Sequence, residues 1–253
     1  MPIPTPISLR NLSFTYPNGL AALAPIDLAV NAGEFVSILG PSGCGKSTVL
    51  RLVAGLLPAP DLGELQVQRD ALACVFQSPT LMPWGSVERN VRLPLELSGK
   101  QDEALVQRAL QMVGLEDFRR AYPRELSGGM LMRVSIARAL ATQPTLLLMD
   151  EPFAALDEIT RNKLDSDLLA LHAAQNLTVL FVTHSIYEAV FLSARIVVMS
   201  ARPGRIVGEL VIDEPGDATG PRSEAFRGSE KFARCCAEAS RLLHLGMTEG
   251  VAA

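Results

Sequence analysis

A nine-residue stretch, Gly40-Pro41-Ser42-Gly43-Cys44-Gly45-Lys46-Ser47-Thr48, has the spacing G-x-x-x-x-G-K-S. Its glycines would let successive backbone N–H groups curl around a phosphate, and a helix that begins at its end would add a positive N-terminal end. Lys46 would then reach the β- and γ-phosphates of a nucleotide, and Ser47 would hold Mg²⁺. The alternative is a glycine-rich turn that binds nothing. The eight ordered positions of the motif, with a strand before them and a helix after them, favour the nucleotide site.

The elements around this loop support the same interpretation. An apolar run, Phe35 to Leu39, precedes the loop, and a second one, Val49 to Val53, follows it. This order predicts a buried strand, a loop and a helix, which is the context in which such a loop binds phosphate.

Two carboxylates, Asp150 and Glu151, follow another almost unbroken apolar run, Thr145 to Met149. Ligands of α/β sheets bind at the carboxyl ends of strands. Asp150 is therefore predicted to support Mg²⁺, and Glu151 to polarise an attacking water. The alternative is that Asp-Glu-Pro ends a strand and starts a turn.

The segment Ser127-Gly128-Gly129 precedes a helical pattern and is a candidate for a second anion cradle. By itself this segment is better interpreted as an ordinary helix N-cap. One nucleotide does not need two cradles from the same chain, so this segment needs a separate explanation.

Short apolar strands alternate with amphipathic helices along most of the chain. This alternation predicts an α/β fold with a mainly parallel sheet and right-handed crossovers. Predicted strands lie at 7–16, 26–30, 35–39, 63–67, 72–76, 145–150, 178–182, 195–199 and 205–212, and predicted helices at 86–97, 102–113, 128–142, 158–174, 186–192 and 232–245. We expect one domain over residues 1–212 with a helical subdomain at about 86–142, and a partly helical C-terminal extension over 213–253.

The composition excludes several classes of protein. The net charge is −4, from 23 Lys and Arg against 27 Asp and Glu, so no basic surface for nucleic acid is expected. No apolar run approaches the ~18 residues that span a bilayer, and the first six residues do not form a signal peptide. Four cysteines without C-x-x-C spacing predict reduced thiols. These features predict a cytoplasmic location.

Together with His184 in Val182-Thr183-His184, the glycine loop, the carboxylate pair and Leu126-Ser127-Gly128-Gly129 closely resemble the ATP-binding-cassette ATPases over residues 7 to about 212. The Leu-Ser-Gly-Gly element separates this family from other phosphate-loop enzymes. The resemblance implies a phosphate-loop core, an N-terminal antiparallel β subdomain and a helical signature subdomain. It also implies ATP and Mg²⁺ as cofactors.

The resemblance gives a role to several further residues. Tyr16 matches the aromatic that stacks on adenine, although a surface tyrosine packed on Pro17 is an alternative. Gln77 matches the glutamine of the Mg²⁺ shell. His184 matches the histidine that contacts the γ-phosphate, where a structural histidine is the alternative.

The resemblance also explains the second cradle. In this family Ser127, Gly128 and Gly129 would close on the ATP of a second copy, so the active form would be a head-to-tail dimer that sandwiches two ATP molecules. Asp157 matches the loop that joins the two sites, and it is also a good helix N-cap.

Within the family, Leu81-Met82-Pro83-Trp84 and Ser200-Ala201-Arg202-Pro203-Gly204-Arg205-Ile206 look like the importer ATPases of the nitrate, sulfonate and taurine group, which includes transporters of pyrimidine precursors. This likeness implies transmembrane permease subunits, indirectly a solute-binding protein, and a place on the inner face of the cell membrane. Trp84 would be exposed for the permease, with a core tryptophan as the alternative. A relative that acts on DNA fits the sequence less well, because the long coiled coil of such relatives is missing. A relative that acts on ribosomes would usually carry a second cassette, which this sequence does not contain. A non-catalytic regulator fits less well because the catalytic residues are present.

A few positions depart from the family pattern. Met130, Ala154, Ala155 and Ser185 replace commoner residues, and none of them removes a catalytic group. The span from Lys46 to Gln77 looks short, which puts the strands predicted there in doubt.

Cys44 lies in the loop before a helix, where the pKa of a thiol can fall, so its alkylation is expected to block ATP binding.

Overall fold

The structure is a computed structural model that describes residues 5–212 and 222–249. Its strands are β1 (Ile7–Thr15), β2 (Ala21–Val30), β3 (Phe35–Leu39), β4 (Leu62–Val67), β5 (Leu72–Val75), β6 (Leu146–Asp150), β7 (Thr178–Thr183), β8 (Arg195–Met199) and β9 (Ile206–Val211). Its α-helices are α1 (Lys46–Val53), α2 (Val87–Leu97), α3 (Glu103–Met112), α4 (Gly128–Leu140), α5 (Glu158–Gln175), α6 (Ile186–Leu192), α7 (Glu224–Arg227) and α8 (Glu230–Glu249). The predicted elements are thus present, and β2 begins earlier than expected.

A six-stranded sheet forms the centre of the chain, in the order β5-β6-β7-β3-β8-β9. Its first five strands are parallel, and β9 pairs antiparallel with β8. All residues of β3, β6 and β7 are buried, as expected for central strands covered on both faces. The prediction of a mainly parallel sheet is confirmed, with an antiparallel edge strand.

A separate antiparallel sheet has the order β2-β1-β4. Ile7, Leu9, Leu12 and Phe14 of β1 are buried and pack on the inner side of the sheet. The two strands predicted between Lys46 and Gln77 are both present. They belong to different sheets, since β4 pairs with β1 and β5 lies at the edge of the central sheet.

Helices α2, α3 and α4 pack on one another over residues 87–140 and share a core that includes Val91, Val106, Leu110 and Met132. Helix α8 packs on α6, β8 and β9. The division at residue 212 stays a prediction. Residues 1–4, 213–221 and 250–253 of the predicted ranges lie outside the described residues.

Within the described ranges, no helix combines the length and the apolar character that crossing a membrane requires.

Candidate nucleotide-binding site

The glycine loop connects β3 to α1 in the central sheet. Gly43 and Gly45 have φ angles of 75° and 108°, in the left-handed region that favours glycine. A Cβ on Gly45 would lie 2.8 Å from the carbonyl oxygen of Ala22. The loop conformation therefore depends on these two glycines.

Lys46 begins α1 and is buried, with 4% exposure. Its Nζ donates to the carbonyl oxygens of Gly40 and Pro41 at 2.9 and 3.0 Å. The same Nζ lies 3.5 Å from Oε1 of Glu151. The ammonium group is thus held between the carbonyl groups of the loop and the carboxylate of Glu151.

Ser47 and Asp150 are joined across the sheet edge. The Ser47 hydroxyl donates to Oδ1 of Asp150 at 2.7 Å. Burial raises the pKa of Asp150, and the hydrogen bond from Ser47 opposes this shift. A hydroxyl and a carboxylate at this distance supply oxygen donors of the kind that Mg²⁺ takes in phosphoryl-transfer sites.

Glu151 follows β6 and lies between two basic side chains. Its Oε2 is 2.9 Å from Nδ1 of His184, and its Oε1 faces Lys46. The backbone of Glu151 has φ 45°, and its N–H donates to the carbonyl of Val182 at 2.9 Å. Holding a residue other than glycine in the left-handed region costs free energy, and such strain often lies at functional sites.

An open cleft of about 210 Å³ lies along the loop. Tyr16 borders it, its hydroxyl 3.0 Å from Oγ1 of Thr48 and its ring edge-on to Phe14. The residues that line the cleft are Tyr16, Leu20, Ala22, Ser42, Gly43, Gly45, Lys46, Ser47, Thr48, Glu151 and Arg202. Gly40, Pro41 and Cys44 of the loop are outside this lining, and the first two support Lys46 through their carbonyl groups.

The second candidate cradle does not line this cleft. Ser127 caps α4, its Oγ accepting from the N–H of Met130 at 3.3 Å, and both Ser127 and Gly128 are exposed. A Cβ on Gly129 would lie 2.7 Å from Cγ2 of Thr160 at the start of α5. The second candidate cradle therefore packs closely on the first turn of α5 through Gly129.

Asp157 caps that helix, with its carboxylate accepting from the N–H of Thr160 at 3.0 Å. This hydrogen bond lowers the pKa of Asp157.

Gln77 follows β5, is exposed and is not part of the cleft lining. Since β5 pairs with β6 up to Val75 and Met149, Gln77 lies at the same sheet edge as the carboxylate pair.

Trp84 is 71% exposed, so the alternative of a core tryptophan is wrong. Its loop is shaped by the buried side chain of Asn90, which accepts from the N–H of Met82 and donates to the carbonyls of Met82, Gly85 and Ser86. Arg138 of α4 adds hydrogen bonds to the carbonyl groups of Pro79 and Thr80. The loop thus presents an aromatic side chain on a well-supported backbone.

The expectation of a lowered thiol pKa at Cys44 is wrong. The side chain is 1% exposed, and burial raises the pKa of its thiol in spite of nearby Lys46. A thiol in this state reacts slowly with alkylating reagents. The expected block of ATP binding on modification stays a prediction.

Arg202 is a residue of the cleft that sequence reasoning missed. It lies in the turn between β8 and β9 and donates from Nε and Nη2 to the carbonyl of Gly43 at 3.0 and 2.8 Å. It is 159 residues away from Gly43 in the chain. No local pattern connects the two segments. The pairing of β8 with β3 and the backbone hydrogen bonds of Gly204 with Ala22 and Ala24 bring them together.

The chain resembles known proteins over most of its length. A sequence model of the family described as ABC transporter matches residues 23–154. The aliphatic sulfonates import ATP-binding protein SsuB 2 of Pseudomonas syringae pv. tomato is 44% identical over 226 residues, which are 89% of this chain and 93% of that protein. The nitrate import ATP-binding protein NrtD of Synechocystis sp. is 41% identical over 242 residues, 91% of each chain. A dimeric post-hydrolysis structure of the ATP-binding cassette MJ0796, bound to ADP and Pi, has a TM-score of 0.73 at 33% identity and covers 83% of this chain and 100% of that one.

Proposed function

Because this chain belongs to the ABC transporter family of ATP-binding subunits, which hydrolyse ATP, we propose that it is the ATP-hydrolysing subunit of an importer for a small solute. The observation that carries the proposal is one cleft lined by Lys46, Ser47 and Glu151, with Asp150 hydrogen-bonded to Ser47 and His184 hydrogen-bonded to Glu151.

The glycine loop binds the phosphates of ATP. Its backbone N–H groups and the start of α1 surround the phosphate chain, and Lys46 turns from the carbonyls of Gly40 and Pro41 toward the β- and γ-phosphates. Tyr16, on the rim of the cleft, offers its ring to adenine.

Ser47 and Asp150 fit a Mg²⁺ ion bound with ATP, since the Ser47 hydroxyl already donates to the Asp150 carboxylate and the two oxygen atoms lie 2.7 Å apart. Gln77, at the end of the adjacent strand β5, is the third residue that we assign to this ion. The ion supplies positive charge for the phosphates.

Glu151 accepts the proton of the attacking water, and His184 contacts the γ-phosphate. The Glu151 carboxylate is oriented by its strained backbone and by the hydrogen bond with Nδ1 of His184.

The second cradle completes the site of another copy of the chain. Ser127, Gly128 and Gly129 do not line the cleft of their own chain, and the first two are exposed at the start of α4. The solved relative MJ0796 is a dimer. We assign the segment to the ATP of a head-to-tail partner, with Asp157 at the connection between the two sites.

The proposed solutes are small oxyanions such as nitrate or an aliphatic sulfonate, the solutes for which two relatives are named. They pass through separate membrane subunits, delivered by a solute-binding protein, and this chain sits on the inner face of the membrane. A pyrimidine precursor is the other solute that the sequence likeness suggests.

Three measurements test the proposal: ATP hydrolysis, growth and co-purification. The purified chain is expected to hydrolyse ATP in the presence of Mg²⁺, and a strain that lacks it is expected to lose growth on nitrate as nitrogen source or on an aliphatic sulfonate as sulfur source. Absence of hydrolysis would contradict the enzymatic part. Unchanged growth on both solutes would contradict the solute class, and co-purification with ribosomes or DNA in place of a membrane subunit would contradict transport.

Replacing Trp84 by Ala is expected to weaken binding to the membrane subunit by about 2 kcal/mol or more, roughly thirtyfold in dissociation constant. An exposed aromatic on a rigid loop has the properties of an interface anchor. Binding to permease reconstituted in detergent measures the effect. Leu97→Ala is the matched control, because Leu97 is 80% exposed at the far end of α2. Equal binding by both variants would remove Trp84 from the interface.

A further inference from the structure

Arg202 brings a permanent positive charge to the edge of the phosphate loop. Its exposed side chain lines the cleft together with Lys46, Ser47 and Thr48. Two of the five N–H donors of its guanidinium group bond to the carbonyl of Gly43. The other N–H donors of the same guanidinium group border the cleft in which a nucleotide would lie.

The backbone that carries Arg202 is fixed against the loop. Gly204 donates to the carbonyl of Ala22 at 2.9 Å and accepts from the N–H of Ala24 at 3.1 Å. A Cβ on Gly204 would lie 2.1 Å from the carbonyl oxygen of Cys44. Only glycine allows this approach, and it anchors the turn between β2 and the loop.

The other end of the turn is held as firmly. Ser200 donates its N–H to the carbonyl of Arg205 at 2.8 Å, and its Oγ accepts from the N–H of Arg205 at 3.1 Å. The N–H of Ala201 donates to the carbonyl of Gly246 in α8 at 3.1 Å. A group mounted in this way loses little conformational freedom when it binds a ligand.

The cleft contains a second positive charge besides that of Lys46, which is available to bind phosphate. Lys46 is close to Glu151 and bonds two carbonyl groups, and among the lining residues only Arg202 adds another positive charge. The guanidinium fork suits phosphate oxygens better than an ammonium group does. We propose that Arg202 is a nucleotide-binding residue that contacts the pyrophosphate part of ATP while it holds the Gly43 carbonyl.

The proposal rests on ATP being the ligand of this cleft, and the test uses nucleotide affinity measured by titration calorimetry on the purified chain. Arg202→Ala is expected to lower the affinity for ATP and ADP about tenfold or more, and the affinity for AMP by less than twofold. Arg202→Lys keeps the charge and should recover part of the loss. Arg202→Gln can still donate to the Gly43 carbonyl but has no charge, so it should behave like the alanine variant.

Arg205→Ala is the matched control, since Arg205 is an exposed arginine of the same turn that does not line the cleft. It should bind all three nucleotides like the unmodified chain. Three results would overturn the proposal: Arg202→Ala binding ATP as well as the control, Arg202→Gln restoring affinity, or an equal loss for AMP. If Arg202→Ala does not fold, the comparison of the Lys and Gln variants decides. Failure of the unmodified chain to bind ATP would refute the proposed function instead.

Discussion

Replacing Glu151 by Gln lowers ATP hydrolysis by about 10²- to 10⁴-fold and leaves ATP binding intact. The amide fills the same space and can still hydrogen-bond His184, but it cannot accept the proton of the attacking water. In the proposed dimer each ATP joins two copies, so a variant that binds ATP without hydrolysing it should also accumulate as an ATP-bound dimer. Steady-state phosphate release measures the first effect, and light scattering with and without ATP measures the second.

Glu64→Gln serves as the control for this experiment, because Glu64 is an exposed carboxylate of β4 in the antiparallel sheet. It should hydrolyse ATP at the rate of the unmodified chain. His184→Ala adds a second comparison, since it removes the side chain that meets Oε2 of Glu151 at 2.9 Å. Normal turnover by Glu151→Gln would refute the role of Glu151 as the base, whatever the histidine variant does.

The sequence predicts those parts of the site that are formed by residues adjacent in the chain. The glycine loop, its strand and its helix follow one another in the chain, and the positive φ angles of Gly43 and Gly45 explain the glycines. The carboxylate pair is predictable for the same reason, because the buried strand β6 ends at Asp150 and Glu151 follows it directly.

The parts that the sequence does not predict depend on contacts between distant segments. Arg202 reaches the loop through the pairing of β3 with β8 and through the contacts of Gly204 with β2. The antiparallel direction of β9 follows from a short turn after β8, which strand patterns alone do not distinguish from a crossover. At Cys44 the sequence shows a helix start that would lower the pKa of a thiol, but burial by the surrounding core outweighs it.

The C-terminal helices are joined to the ATPase core by a buried ion pair that local patterns also do not reveal. Nη2 of Arg227 in α7 lies 2.9 Å from Oδ2 of Asp165 in α5, and its guanidinium carbon lies 3.5 Å from the centre of the Phe191 ring. Asp165 is fully buried. Burial raises the pKa of Asp165 to about 7, although Arg227 acts to lower it. Among the described residues, Oδ1 of Asp165 has no hydrogen-bond partner, which agrees with a carboxylate that is incompletely compensated.

Replacing Arg227 by Met is therefore expected to lower the free energy of unfolding by about 3–5 kcal/mol at pH 8, because it leaves a buried carboxylate without its counter-ion. Urea unfolding monitored by circular dichroism measures the change. Arg234→Met is the matched control, since Arg234 is an exposed arginine of α8, and it should change the free energy of unfolding by less than about 0.5 kcal/mol.

The pH dependence separates this electrostatic cause from a loss of packing. The pKa of Asp165 is raised in the folded state, so the folded chain binds more protons than the unfolded chain between the ordinary pKa of 3.8 and about 7. Stability from this group is present below pH 3.8 and is lost as the pH rises through about 7. Without Arg227 the pKa of Asp165 rises further, so the cost of Arg227→Met should be larger at pH 8 than at pH 6. In an Asp165→Asn background the same substitution should cost less and show no such difference, because no carboxylate remains to be left unpaired. An equal cost at both pH values would assign the loss to packing of the arginine on Phe191 alone.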